Sequence, residues 1–110
     1  MAAGTNAKVV LVTCGSRAEA RKIAQAVVAK RLAACVNVVS APVESVYRWK
    51  EKVVRATEFL LVIKTTSGRL KRLKAAVLGL HSYDLPEFLV VGVASGSRKY
   101  LDWLGKSVRQ

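Results

Sequence analysis

Hydrophobic positions follow two spacings along this chain, and each change of spacing marks an element. Lys8 to Thr13 (KVVLVT) is a short β-branched run of the kind that forms a buried strand. Gly15 and Ser16 end it. Ser16 and Glu19 make an S-x-x-E capping box, in which each side chain satisfies a free amide at a helix start. Behind it, Ala20, Ile23, Ala24, Val27 and Val28 recur at helical spacing as one apolar stripe. Arg17, Arg21, Lys22 and Lys30 fall off the stripe and should face water.

Strand spacing then returns. Cys35 to Val39 and Val43 to Trp49 read as one long, bent strand, with Pro42 at a bulge or edge because it cannot donate to a ladder. Lys50, Glu51 and Lys52 form the turn, and Val53 to Thr65 is the returning strand, with Phe59 to Ile63 at its centre. Ser67 is placed to cap a second helix whose apolar positions are Leu70, Leu73, Val77 and Leu80. Pro86 keeps His81 to Glu87 from being helical. Phe88 to Ala94 is a fourth strand, and Ser97 can cap a last short helix holding Tyr100, Leu101, Trp103 and Leu104.

The order is β-α-β-β-α-β-α. Six of these elements match the ferredoxin-like split β-α-β pattern, an α+β sandwich with an antiparallel sheet and both main helices on one face. It is extended here by a long hairpin between the second and third strands and a short C-terminal helix. The 110 residues suit a single domain, with 1–7 expected to form a disordered tail. A hydrophobic share of 52% is enough for a core without disulfide staples. Cys14 and Cys35 are too few for a secreted scaffold, Met1 to Lys8 lacks the apolar stretch of a signal peptide, and no apolar run approaches the roughly 20 residues of a membrane span. A cytoplasmic chain with reduced thiols is expected.

The formal net charge of +12, from 19 basic and 7 acidic residues, favours something anionic as a partner. Arg17, Arg21, Lys22, Lys30 and Arg31 on the first helix, with Arg69, Lys71, Arg72 and Lys74 on the second, would form one positive plate. RNA-recognition domains of this topology stack bases on sheet aromatics, whereas the third strand here, VVRATEFLLVIKT, carries only Phe59. Recognition of RNA in that manner is not supported.

The common nucleotide loops, H-E-x-x-H and C-x-x-C are absent, and one chain offers only one histidine, so it cannot build a conventional zinc site alone. Gly-Ser-Arg occurs at Gly15 to Arg17 and again at Gly96 to Arg98, each between strand and helix, as a cap or as a phosphate cradle. Cys14 stands just before a helix N-terminus, where a thiolate would be favoured. With His81 it is either a half-buried thiol beside a structural histidine, or a nucleophile with its base, or a soft-metal pair. Cys35 reads as packing. Tyr47, Trp49, Tyr83, Tyr100 and Trp103 are amphipathic aromatics of the kind that favour interfaces, and Tyr47 and Trp49 face one way near the hairpin tip.

Several blocks taken together resemble the CutA family of divalent-cation tolerance proteins. They are Val12-Thr13-Cys14, Lys30 to Asn37 (KRLAACVN), Ser45 to Trp49 (SVYRW), Val62 to Thr65 (VIKT), His81-x-Tyr83-Asp84-x-Pro86-Glu87 and Tyr100-Leu101-x-Trp103-Leu104. They run in order from about Val9 to Ser107. The resemblance implies a ferredoxin-like fold assembled as a tight homotrimer through its hairpins. It also implies a non-enzymatic role in tolerance of divalent metals such as copper, and a relation to signalling trimers of the PII type. The family's pocket residues would fall on Cys35, Tyr47, Trp49, Lys64, His81, Tyr83, Asp84 and Glu87, near subunit boundaries. His81 and Cys14 are the candidate metal ligands, and a lone imidazole would need a thiol, a carboxylate or another subunit's histidine beside it. A small-anion or metabolite module using Lys64 and Arg48 at the intersubunit cleft is the alternative function. Membrane and nucleic acid are not expected partners.

Overall fold

The computed structural model describes residues 4–109. Its elements are β1 (Ala7–Cys14), α1 (Arg17–Ala29), β2 (Cys35–Val38), β3 (Val43–Trp49), β4 (Lys52–Thr66), a 3₁₀ turn (Ser67–Arg69), α2 (Leu70–Leu80), β5 (Leu89–Gly92) and α3 (Arg98–Ser107). The sheet runs β2-β4-β1-β5, antiparallel throughout, with β3 pairing the N-terminal half of β4. Joined to helices α1 and α2 on one face, this is the ferredoxin-like order expected from the sequence.

The core explains why both helices share a face. Alternation along β1 turns Val10, Val12 and Cys14 to one side, where Leu61 and Ile63 of β4 join them. Ile23 and Val27 of α1 and Leu73 and Val77 of α2 close over these, each fully buried. Burying a side chain of this kind contributes about 1.5–3 kcal/mol. A smaller cluster of Ala7, Ala34, Leu104 and Val108 fastens α3.

Local chemistry sets the element ends. Ser16 Oγ accepts the Glu19 N–H at 3.1 Å at the start of α1. At its other end Arg31 has φ 58°, Arg31 N–H donates to Val28 O, and Leu32 N–H donates to Val27 O. That is a Schellman closure, with arginine in the left-handed place glycine usually takes.

Four details differ from expectation. The stretch read as one bent strand is two, β2 and β3, because the chain leaves the ladder between Val39 and Pro42. The hairpin turn is two residues, Lys50 and Glu51, both at positive φ, rather than three. Ser67 opens a 3₁₀ turn without capping α2, and Ser97 precedes α3 without a side-chain cap bond. Finally, the tail ends earlier than Ala7: Thr5 pairs with Val93, and Ala7 is buried in β1. Residues 1–3 of that expected tail lie outside the described residues.

Candidate functional site

Two features meet where β1 and β4 pass beneath the loop that follows α2. The first is a buried cluster. Cys14 ends β1 on the core side, Glu19 lies in the first turn of α1, and His81 follows the last residue of α2. One ligand atom from each lies within 4.8 Å of the others. The sequence suggested that a helix start would favour the Cys14 thiolate, but the structure reverses this. Cys14 is fully buried, and burial first, then the charges of Glu19 and Glu58, push its thiol up to about 12.

His81 is held from both sides. Its Nδ1 accepts the Tyr83 N–H at 3.1 Å, which leaves the proton on Nε2 for donation to Thr13 O at 2.7 Å. Glu19 completes only half of its capping box. Instead of reaching Ser16, its Oε1 accepts the Ser82 N–H at 3.1 Å, while Oε2 lies 3.7 Å from His81 Nδ1. Glu19 Oε2 is buried without a hydrogen-bond partner. A sulfur, a carboxylate oxygen and an imidazole nitrogen suit a soft or borderline divalent ion, and the unsatisfied oxygen is consistent with one. Either His81 nitrogen must exchange its present hydrogen bond to join.

The second feature is an open cleft of about 690 Å³ between the β3–β4 hairpin and the loop after α2. Strand register places Thr13, Ser45, Tyr47, Trp49 and Glu58 on the sheet side opposite the α1–α2 core. From across the cleft Tyr83, Asp84, Leu85 and Glu87 close over them. Tyr83 O–H donates to Glu58 Oε2 at 3.0 Å. Burial, then this bond and the Glu58 charge, push the Tyr83 hydroxyl up to about 12. Burial, then Glu58, raises Glu87. Gly15 allows the close approach of Tyr83: a Cβ there would stand 3.0 Å from the phenol oxygen.

Of the expected pocket residues, Tyr47, Trp49, Tyr83, Asp84 and Glu87 line this cleft, and His81 lies behind it in the buried cluster. Cys35 and Lys64 do not line it. They face each other across β2 and β4, and Lys64 Nζ donates to Asn37 Oδ1. Glu19 of the cluster and Glu58 and Thr13 of the cleft are among the residues that the sequence reading did not assign to a site. Tyr100 and Trp103 are exposed and pack against each other on α3, 5.4 Å between ring centroids.

The fold and this donor set define a small ferredoxin-like protein with a buried thiol–imidazole–carboxylate cluster beside an open cleft. The model of the CutA1 divalent ion tolerance protein family matches residues 8–107, and the chain belongs to that family. It is 48% identical over 97 residues to the divalent-cation tolerance protein CutA of Thermus thermophilus, covering 88% of this chain and 93% of that one. It is 45% identical over 101 residues to the chloroplastic protein CutA of Arabidopsis thaliana, covering 92% of this chain but 55% of that protein. The solved structure of the periplasmic divalent cation tolerance protein CutA from Archaeoglobus fulgidus superposes with a TM-score of 0.90 at 33% identity, over 94% of this chain and 99% of that one. No helix among the described residues is long and apolar enough to cross a membrane.

Proposed function

We propose that this chain is a non-enzymatic, cytoplasmic protein of divalent-cation tolerance that takes copper, or an ion of similar softness, at Cys14, Glu19 and His81. It acts as a homotrimer that responds to its ligand by binding, in the manner of PII-type trimers, rather than by turnover. The observation that carries the metal reading is the convergence of three unlike donor atoms within 4.8 Å around a buried, unsatisfied carboxylate oxygen. Non-enzymatic behaviour is favoured because burial raises the Cys14 thiol pKa, which disfavours the free thiolate that a nucleophile needs, whereas a bound metal ion would itself displace the proton. The anion alternative loses Lys64, which lies outside the cleft, and rests on Arg48 alone.

Assembly is supported by apolar surface that one chain leaves open. Leu89, Val90 and Val91 of the edge strand β5 are exposed, as are Val46, Tyr47, Trp49 and Val53 on the hairpin. Patches of this kind favour a partner over water.

Copper titration followed by thiolate-to-metal charge-transfer absorption tests the metal site. The band is expected to saturate near one ion per chain, to vanish in Cys14→Ser, to weaken in His81→Gln and to persist in Cys35→Ser. A band that survives Cys14→Ser would overturn the assignment.

A further inference from the structure

The outer face of α1 and α2 carries charge of one sign. Residues 17–31 and 69–80 hold nine lysines and arginines against one acid, Glu19, whose carboxylate turns to Ser82 and His81. Arg21, Lys22, Lys71, Arg72 and Lys74 are exposed, while Ile23, Val27, Leu73 and Val77 take the buried side of the same helices. Two arginines join the helices at one end: Arg31 Nη1 donates to Ser107 O at 3.3 Å, and Arg69 Nε donates to Val108 O at 2.7 Å. Among the described residues, no lysine or arginine forms a salt bridge with a carboxylate. Like charges gathered this closely repel one another, and an anion laid across them relieves that repulsion.

The shape of the face selects the anion. The cavities at the hairpin do not reach it, so it offers no such enclosure for a small ion. It consists of two packed helices, about 20 Å and 16 Å long, which suit a rigid, extended polyanion. Neither segment contains phenylalanine, tyrosine or tryptophan. Single-stranded nucleic acid needs such rings for base stacking, and interfacial helices use them to enter a membrane. Duplex nucleic acid needs none: it presents one negative charge about every 1.7 Å of its axis, and phosphate contacts read no bases. Such contact uses the helices, not the sheet on which an RNA-recognition domain stacks bases. The helices cover the core side of the sheet, opposite the sheet face where the proposed trimer would close, so assembly through that face leaves them open.

We propose that the outer face of α1 and α2 binds the phosphate backbone of double-stranded nucleic acid without reading its sequence. This rests on neither the metal cluster nor the trimer proposed above. Fluorescence anisotropy of a short labelled DNA duplex, titrated with the whole protein, tests it. Contact with about five phosphates predicts a log–log slope of affinity against salt of about −4 to −5, over about 50 to 200 mM. Two duplexes of unrelated sequence should bind alike. Arg21→Glu with Lys22→Glu on α1, and separately Lys71→Glu with Lys74→Glu on α2, should each weaken binding by about tenfold or more. Arg98→Glu with Lys99→Glu, at the far end of α3, gives the same net charge and should stay within about threefold of the wild type. Circular dichroism confirms that each variant is folded. No binding at about 50 mM salt, or an equal loss in the α3 control, would overturn the proposal. So would unchanged affinity in both helix variants, or helix-dependent binding to phosphatidylserine vesicles without binding to the duplex.

Discussion

Cys14 shows how far the surroundings of a residue outweigh its position in sequence. A thiol before a helix start is ordinarily acidified, yet here the core takes the side chain in and two nearby acids oppose its ionisation. Because its pKa is raised in the fold from 9.0 to about 12, the contribution to stability is complete below pH 9 and fades as pH climbs toward about 12. In metal-free protein, urea midpoints above pH 9 should therefore fall more steeply for the wild type than for Cys14→Ser, whose hydroxyl does not ionise in that range. Parallel slopes would contradict this. Glu58 was illegible for a related reason. Strand alternation puts it opposite the core, which reads as solvent-facing, and it is buried by a loop from residues 83–87, far along the chain. Glu19 was visible as a cap, but its carboxylate turns to Ser82 and His81 instead, a choice made by tertiary contact.

At the scale of elements, the apolar periods of both main helices and the long hairpin were legible, because these follow from burial of one face. Breaks were less so. Pro42 announces an interruption, but whether the strand bends or stops depends on which amides β4 leaves free. Lys50 and Glu51 carry no turn signature, yet both take positive φ because a two-residue hairpin needs a twist matching its strands. Placing Asn at Lys50 and Gly at Glu51 should remove left-handed strain of about 1 kcal/mol per residue and raise the thermal midpoint by several degrees. An unchanged or lower midpoint, read by circular dichroism, would show that the turn is not strained.

Across the whole molecule, charge is sorted. Glu19, Glu58, Asp84 and Glu87, four of the seven acids, collect at the buried cluster and the cleft, while the outer faces of α1 and α2 carry exposed Arg21, Lys22, Lys71, Arg72 and Lys74. The fold class was legible because it needs only element order and one core. The site was legible only in part, since it joins residues from β1, α1, the hairpin and the loop after α2, whose meeting depends on the finished sheet. The same sheet leaves Leu11, Val62 and Leu89 side by side on the face away from α1 and α2, with Leu89 56% exposed. Such a face, beside a hairpin rich in exposed aromatic and aliphatic groups, is the surface on which the proposed trimer would close. Native mass spectrometry with stoichiometric copper tests that account most directly. It should show a species of three times the 11.9 kDa chain carrying one ion per chain. A lone chain, or a trimer whose copper content is the same in Cys14→Ser, would contradict it.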